Sequence, residues 1–267
     1  MLAKQKQGAN QLPEQAGVAV LITEMDGSML PVVETGEASE TIDRRKTRQL
    51  SWKEARLCLA HQPGSVTPVF AATTGGVEEA GKQWLQCTIA AGAGSQTKFH
   101  GLGDGAVWIT EQMELQFGTQ GQYLVDFYHL CEYLSPAAKV VAGDEKESWM
   151  EEKKNWMKDN RWRDVLESLE PFVEDDSIAD PDAPVRACQR YIDNRTHYLD
   201  YKSAEAADLP IGSGEIESAH RYVFQSRLKL AGAWWKIQNL DKMIALRIRR
   251  ANHGWEDYWM EKSKKAA

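Results

Sequence analysis

Cysteine is scarce in this chain. Cys58, Cys87, Cys131 and Cys188 lie far apart, and no CxxC or Cys/His ligand spacing links them. That argues against a disulfide framework and a zinc site, and makes a reducing cytoplasm the expected setting. Long apolar runs are also missing. Nothing approaches the ~20 residues of a membrane helix, so no membrane association is expected. The opening "MLAKQKQGANQLPEQAG" has no apolar stretch of the signal-peptide kind. There is no nucleophile elbow or catalytic-triad motif, and there are no internal repeats or low-complexity tracts.

What remains is the composition of a soluble globular protein: 267 residues, 42% hydrophobic and 27% charged. This length suits one large domain, or one domain with an insertion. The net charge of −7 argues at first against a nucleic-acid partner. The charge is unevenly spread, however. From Arg221 to Ala267 there are eleven Lys/Arg against four Asp/Glu. Such a segment reads either as a polyanion-facing element or as the solvated face of C-terminal helices.

Hydrophobic periodicity gives the elements. Residues 1–16 read as a disordered tail. "GVAVLITEM" (17–25) is apolar and β-branched, a strand buried on both faces. Asp26-Gly27 is a hairpin signal, with "MLPVVE" (29–34) as the returning strand. "ARLCLAH" (55–61) is a third strand. The apolar spacing from Val77 to Ala91 is helical. "KFHGLGD" (98–104) is a short strand, "AVWITEQMELQF" (106–117) a helix, and "GQYLVDFYH" (121–129) another strand. Strands alternating with helices after an antiparallel opening indicate an α/β class, a mixed five-stranded sheet covered by helices.

After His129 the texture changes. Residues 130–208 are rich in helix formers and read as an all-helical insertion, with Trp149, Trp156 and Trp162 as packing anchors. "LPIGSGEIES" then opens a long helix. "KIQNLDKMIALRIRRA" adds another, with Ile237, Leu240, Ile244 and Ile248 inward.

Three acids stand out. Asp26 and Asp104 each follow an apolar strand, and Glu217 lies in the first turn of an expected helix. Singly, each has a structural reading: Asp26 as a turn residue, Asp104 as a helix cap, Glu217 as a partner of the helix dipole. Jointly they suit phosphodiester chemistry. Two Mg²⁺ ions roughly 4 Å apart can activate one oxygen and stabilise the leaving one. Mg²⁺ takes hard oxygen ligands and keeps several waters, so few carboxylates suffice.

The ordered motifs "GDGAVWI", "LVDFYHLCEYL", "LPIGSGEIES", "QSRLKLAGAWW" and "GWEDYW" resemble bacterial insertion-sequence transposases of the ISKra group. These are DDE transposases with an RNase H-like core. The basic "RRKTRQLSWKEARLCL" resembles the segment that follows their first Asp, and the likeness runs from about Val18 to Trp259. It implies that Asp26, Asp104 and Glu217 are the catalytic, metal-binding triad for two Mg²⁺ (or Mn²⁺) ions, with Glu215 the rival to Glu217. Asp126 and His129 match a "DxxH" feature beside the metals or facing DNA; a strand-end Asp with a packed His is the other reading.

The likeness further implies a retroviral-integrase-like core begun by residues 17–129. A helical insertion (130–208) precedes the glutamate helix, and basic helices (209–267) complete the core. Arg221, Arg227, Lys229, Arg247, Arg249 and Arg250 become candidates for phosphate contacts. Trp234 and Trp235 read as packing or as base-stacking residues. The implied activity is DNA cleavage and strand transfer in transposition. The implied partners are insertion-sequence ends and target DNA, bound as a homo-oligomer near the bacterial nucleoid. Such transposases carry a substantial N-terminal end-recognition region. Here 25 residues precede Asp26, so a truncated copy is expected. An inactive DNA-binding remnant and an RNase H-like nuclease are the alternatives.

Overall fold

Apolar and β-branched residues carry the first strand, β1 (Val20–Thr35), straight through Asp26–Gly27. The hairpin expected there does not form. The second strand, β2 (Arg48–His61), pairs antiparallel with β1 from Ile22 to Thr35, with Asp26 opposite Leu57 and Gly27 opposite Arg56. Gly27 serves close approach instead of a turn: a Cβ on it would stand 2.6 Å from Glu54 Oε1. The computed structural model describes residues 12–36 and 44–266, without the side chains of residues 44, 45, 265 and 266.

β3 (Val69–Thr73) pairs antiparallel with β2. It was not expected, because five residues are too short to show a period. α1 (Val77–Ala90), β4 (Lys98–Gly103), α2 (Val107–Phe117) and β5 (Gly121–Val125) follow. The strand order β3-β2-β1-β4-β5 makes a mixed, open, five-stranded sheet flanked by helices, with β1 at its centre. Two expected strands have fused into one, and an unexpected one restores the number.

The chain divides into two compact units. The first comprises Met1–Phe99, Glu111–Gly121 and Gly214–Ala267. Alternation along β1 gives it two faces. On one, the indole N–H of buried Trp84 donates to Thr23 Oγ1 at 2.5 Å, and that hydroxyl donates to the Leu59 carbonyl at 2.7 Å. The Trp84 ring meets Phe117 edge-on, with centroids 5.2 Å apart.

The other face carries Leu30 and Val32, with Leu57 and Leu59 from β2. The C-terminal helices cover it: α8 (Gly214–Ala219), a π-helical turn (His220–Gln225), α9 (Ser226–Leu228) and α10 (Ile237–Ala251). Ile216, Val223, Phe224, Leu228, Leu240 and Ile244 complete that core. Of the expected inner face of α10, Leu240 and Ile244 are buried, but Ile237 is 40% exposed. α11 (Trp255–Ala266) closes the described chain.

Trp235 packs: Val33 N–H donates to its carbonyl at 2.9 Å, extending the edge of β1. Trp234 meets Trp52 edge-on at 6.0 Å. Of the expected disordered tail, residues 1–11 lie outside the described residues. Gln15 and Ala16 are tied down, their carbonyls accepting from Ser95 N at 2.8 Å and Gln96 N at 3.0 Å.

The second unit is His100–Thr110 with Gln122–Ser213. Its helices are α3 (Phe127–Ala142), α4 (Lys146–Lys158), α5 (Trp162–Leu169), α6 (Pro184–Asp193) and α7 (Tyr201–Ala206). The expected strand over 121–129 therefore stops at Val125, because Asp126 caps a helix that takes over "FYH". Trp149, Trp156 and Trp162 are half-buried and carry cations. Lys153 Nζ sits 3.5 Å from the Trp156 centroid, and the Arg163 guanidinium 4.2 Å from that of Trp162. Among the described residues no helix is long and apolar enough to cross a membrane.

The Trp84–Thr23 contact gives a first prediction. Thr23→Val keeps the shape but leaves a buried indole N–H without its acceptor. It is expected to lower stability by about 1–3 kcal/mol in urea unfolding, whereas Thr23→Ser loses less.

Candidate functional site

The period of two along β1 sets Glu24 and Asp26 on the same face as Leu30 and Val32. On that face the two acids lie between apolar Ile22 on one side and Leu30 and Val32 on the other. Glu24 is only 1% exposed, and its Oε2 accepts from Ile216 N at 2.7 Å in the first turn of α8. A carboxylate there meets unpaired helical N–H groups and the positive end of the helix dipole, which offsets much of its desolvation. Asp26, two residues on, keeps 39% of its side chain exposed. Its Oδ1 accepts from Gly27 N at 2.6 Å, and its Oδ2 lies 3.0 Å from His220 Nε2.

Glu217 sits in α8, one turn before His220, on an exposed position. Its rival Glu215 points elsewhere, to His61 Nε2 at 3.0 Å. The first unit thus brings Asp26 to the helical run that carries Glu217. Glu24, His61 and His220 were missed by sequence reasoning. An acid inside the apolar run "VLITEM" was the one available signal, since the histidine contacts join residues far apart in sequence.

Asp104 belongs to the second unit, at the turn that leaves β4. Its Oδ1 accepts from Ala106 N at 2.8 Å, as a capping residue does. The turn's backbone is held on several sides. Tyr191 O–H donates to the Asp104 carbonyl at 2.8 Å, Gly105 N–H donates to Tyr123 Oη at 3.1 Å, and Arg195 Nε donates to the Gly105 carbonyl at 3.1 Å. Gly105 has φ of 78°, and a Cβ there would stand 2.5 Å from Arg195 Nε, so only glycine suits the position. Burial raises the pKa of both Tyr123 and Tyr191, so both phenols keep their protons.

Asp126 is occupied by the fold. It is 4% exposed, and Oδ1 accepts from Tyr128 N at 2.6 Å and His129 N at 3.1 Å. Oδ2 accepts from Ser213 N at 2.9 Å and from the Ser213 hydroxyl. It pins the start of α3 to the segment before α8. His129 pairs with Glu132 at 3.2 Å and packs edge-on against Tyr133 and Tyr191.

The basic candidates divide in two. Arg221, Arg227, Lys229 and Arg250 are exposed. Arg247 is spent on the fold: Nε donates to the Val223 carbonyl at 3.1 Å, and Nη2 donates to the Tyr222 carbonyl and to Ser226 Oγ. Arg249 donates to the Gly254 carbonyl at 3.0 Å and pairs with Glu261 at 3.2 Å.

Among the described residues, no group of three or more His, Cys, Asp and Glu is gathered for a metal ion. In kind, the donors suit Mg²⁺. All three are carboxylates, and each oxygen that accepts one hydrogen retains a second lone pair. Burial pushes the Cys131 thiol up to about 11 and the Cys188 thiol up to about 12, so neither supplies a thiolate nucleophile.

A family model described as "Uncharacterised protein family (UPF0236)" matches residues 93–264, more than half of the chain. No curated protein and no solved structure matches significantly.

The fourfold role of Asp126 gives the prediction here. Asp126→Ala strands buried N–H groups at the α3 N-terminus and at Ser213. It is expected to cost about 2–4 kcal/mol in denaturant unfolding, with faster amide exchange at residues 128, 129 and 213.

Proposed function

Since the chain belongs to the uncharacterised family UPF0236, we propose a function from the site itself: the catalytic domain of a DDE transposase with an RNase H-like core. It cleaves DNA and transfers strands in transposition. The observation that carries this reading is the placement of Asp26. It stands on the central strand, facing the helical run of Glu217, and meets a side chain one turn beyond that glutamate. A strand carboxylate opposite a helix carboxylate is what a shared hard cation needs. The mixed five-stranded open sheet is compatible with the RNase H-like core.

In this reading Asp26, Asp104 and Glu217 hold two Mg²⁺ or Mn²⁺ ions. When bound, the ions supply an activated water at one side of phosphorus and charge stabilisation at the other. The protein's own part is to keep the carboxylates in place. Glu24 docks the start of α8 on β1, and so sets how far Glu217 stands from Asp26. Tyr191, Tyr123 and Arg195 fix the Asp104–Gly105 turn. The exposed Arg221, Arg227, Lys229 and Arg250 contact phosphates, positioning DNA without reading its sequence. Insertion-sequence ends and target DNA are the partners, bound by a homo-oligomer.

Asp104→Asn tests the chemistry. It is expected to abolish Mg²⁺- or Mn²⁺-dependent nicking of supercoiled DNA while leaving circular dichroism and the melting temperature near wild type. Unchanged nicking would reject the assignment. Salt-sensitive DNA binding by a wild-type protein that cleaves nothing would favour an inactive remnant, and preferential cleavage of hybrids an RNase H-like nuclease.

A second experiment sorts the basic side chains. Arg221→Ala, Lys229→Ala and Arg250→Ala are each expected to lower the slope of log K against log salt by about one without loss of stability. Arg247→Ala is expected instead to lower the melting temperature.

A further inference from the structure

His220 is the inner partner of Asp26, and its surroundings are unusual. The side chain is 6% exposed, yet neither ring nitrogen makes an aligned hydrogen bond among the described residues. Nδ1 has no hydrogen-bond partner among the described residues, and Asp26 Oδ2 stands 3.0 Å from Nε2. Buried polar groups are nearly always paired, so such an imidazole calls for an explanation. Packing alone does not supply one. The ring lies beside Phe224, with centroids 5.4 Å apart, where an apolar side chain would serve without the desolvation cost.

Two further facts point the same way. His220 begins the π-helical turn, and such turns inside helices recur at functional sites. It also follows Glu217 by three residues, so the two side chains rise from neighbouring positions on one helical face. One short element therefore carries both an exposed carboxylate and a buried ring that reaches the strand carboxylate.

We propose that His220 is a positioning residue for Asp26. Its Nε2, 3.0 Å from Oδ2, restrains that oxygen and thereby limits which lone pairs Asp26 presents to a divalent cation. This rests on the transposase reading of the same site. Without the ring, the Asp26 carboxylate keeps only its local bond from Gly27 N and loses the contact that orients it towards the Glu217 helix. The effect falls on the reaction and on cation binding, since the His220 side chain is covered.

The test uses the full chain with His220→Leu, which removes the donor, and His220→Gln, whose side-chain amide restores a donor at similar reach. Nicking of supercoiled DNA and Mn²⁺ binding by electron paramagnetic resonance are measured on each. His220→Leu is expected to lower kcat by about tenfold or more, in the range that small misplacements of reacting groups produce. Its KM for DNA stays near wild type and its Mn²⁺ affinity falls. His220→Gln recovers most of both.

Wild-type kcat and Mn²⁺ affinity in His220→Leu would overturn the proposal, and so would equal impairment of the two variants. If His220→Leu does not fold, His220→Asn replaces it, because its amide is too short to reach Asp26. Equal activity of the Asn and Gln variants would then overturn the proposal. A wild-type protein that neither nicks DNA nor binds Mn²⁺ overturns the transposase reading, and the positioning role with it. Activity that is independent of residue 220 overturns the positioning role alone.

Discussion

The antiparallel pairing of β1 with β2, unbroken across Asp26–Gly27, is the constraint on which the first unit depends. Because the register runs through that dipeptide, the side-chain alternation never slips, and a single face collects Glu24, Asp26, Leu30 and Val32. The C-terminal helices then meet two different surfaces at once. Beside Leu30 and Val32 they bury Phe224, Leu228 and Leu240. Beside Glu24 and Asp26 they present the Ile216 N–H and the His220 ring. Hydrophobic burial, worth roughly 25 cal/mol per Å² of apolar surface, supplies the force that docks these helices. The Glu24–Ile216 hydrogen bond sets the register in which they dock. A slip by one residue would leave a buried carboxylate with no donor, and that penalty is large.

The second unit handles its acid differently. The Asp104 side chain accepts from Ala106 N within its own turn, and the turn's backbone is held by Tyr191, Tyr123 and Arg195 around a glycine that no other residue can replace without strain. The Arg195 guanidinium also lies 4.0 Å from the Tyr191 ring centroid, and Tyr191 stacks on Tyr133 at 3.9 Å, so the clamp is itself packed. Fixing the main chain constrains a carboxylate's position while consuming little of its ligand capacity. Asp126 shows the opposite case. Four donors occupy both of its oxygens, and it is a structural pin in consequence.

The sequence made some elements plain and hid others for physical reasons. α1, α2 and α10 were legible because apolar spacing of three and four persists over eleven or more residues. Asp26–Gly27 misled because local turn preference is weak against a fourteen-residue ladder that continues on both sides. "DFYH" misled because aromatic residues favour strands, while the deciding event was one aspartate capping the N–H groups that follow it. Asp26, Asp104 and Glu217 could be picked out as acids at expected element ends. Their neighbours could not. Glu24 with Ile216 spans 192 residues, and Tyr191 with Asp104 spans 87.

The basic C-terminal segment shows why counting charges overstates and understates at once. Arg247 and Arg249 both have their guanidinium groups engaged, yet their electrostatic consequences differ. Arg249 pairs with Glu261, so much of its field cancels within a few ångströms. Arg247 donates to neutral acceptors, two carbonyls and a hydroxyl, which anchor the group without removing its charge. Its field therefore adds to that of Arg227 and Arg250, whose charges act on it. The π-helical turn is where this arises, because the accepting carbonyls of Tyr222 and Val223 lie within it. The turn that carries His220 thus also supplies the carbonyls that anchor a structural arginine.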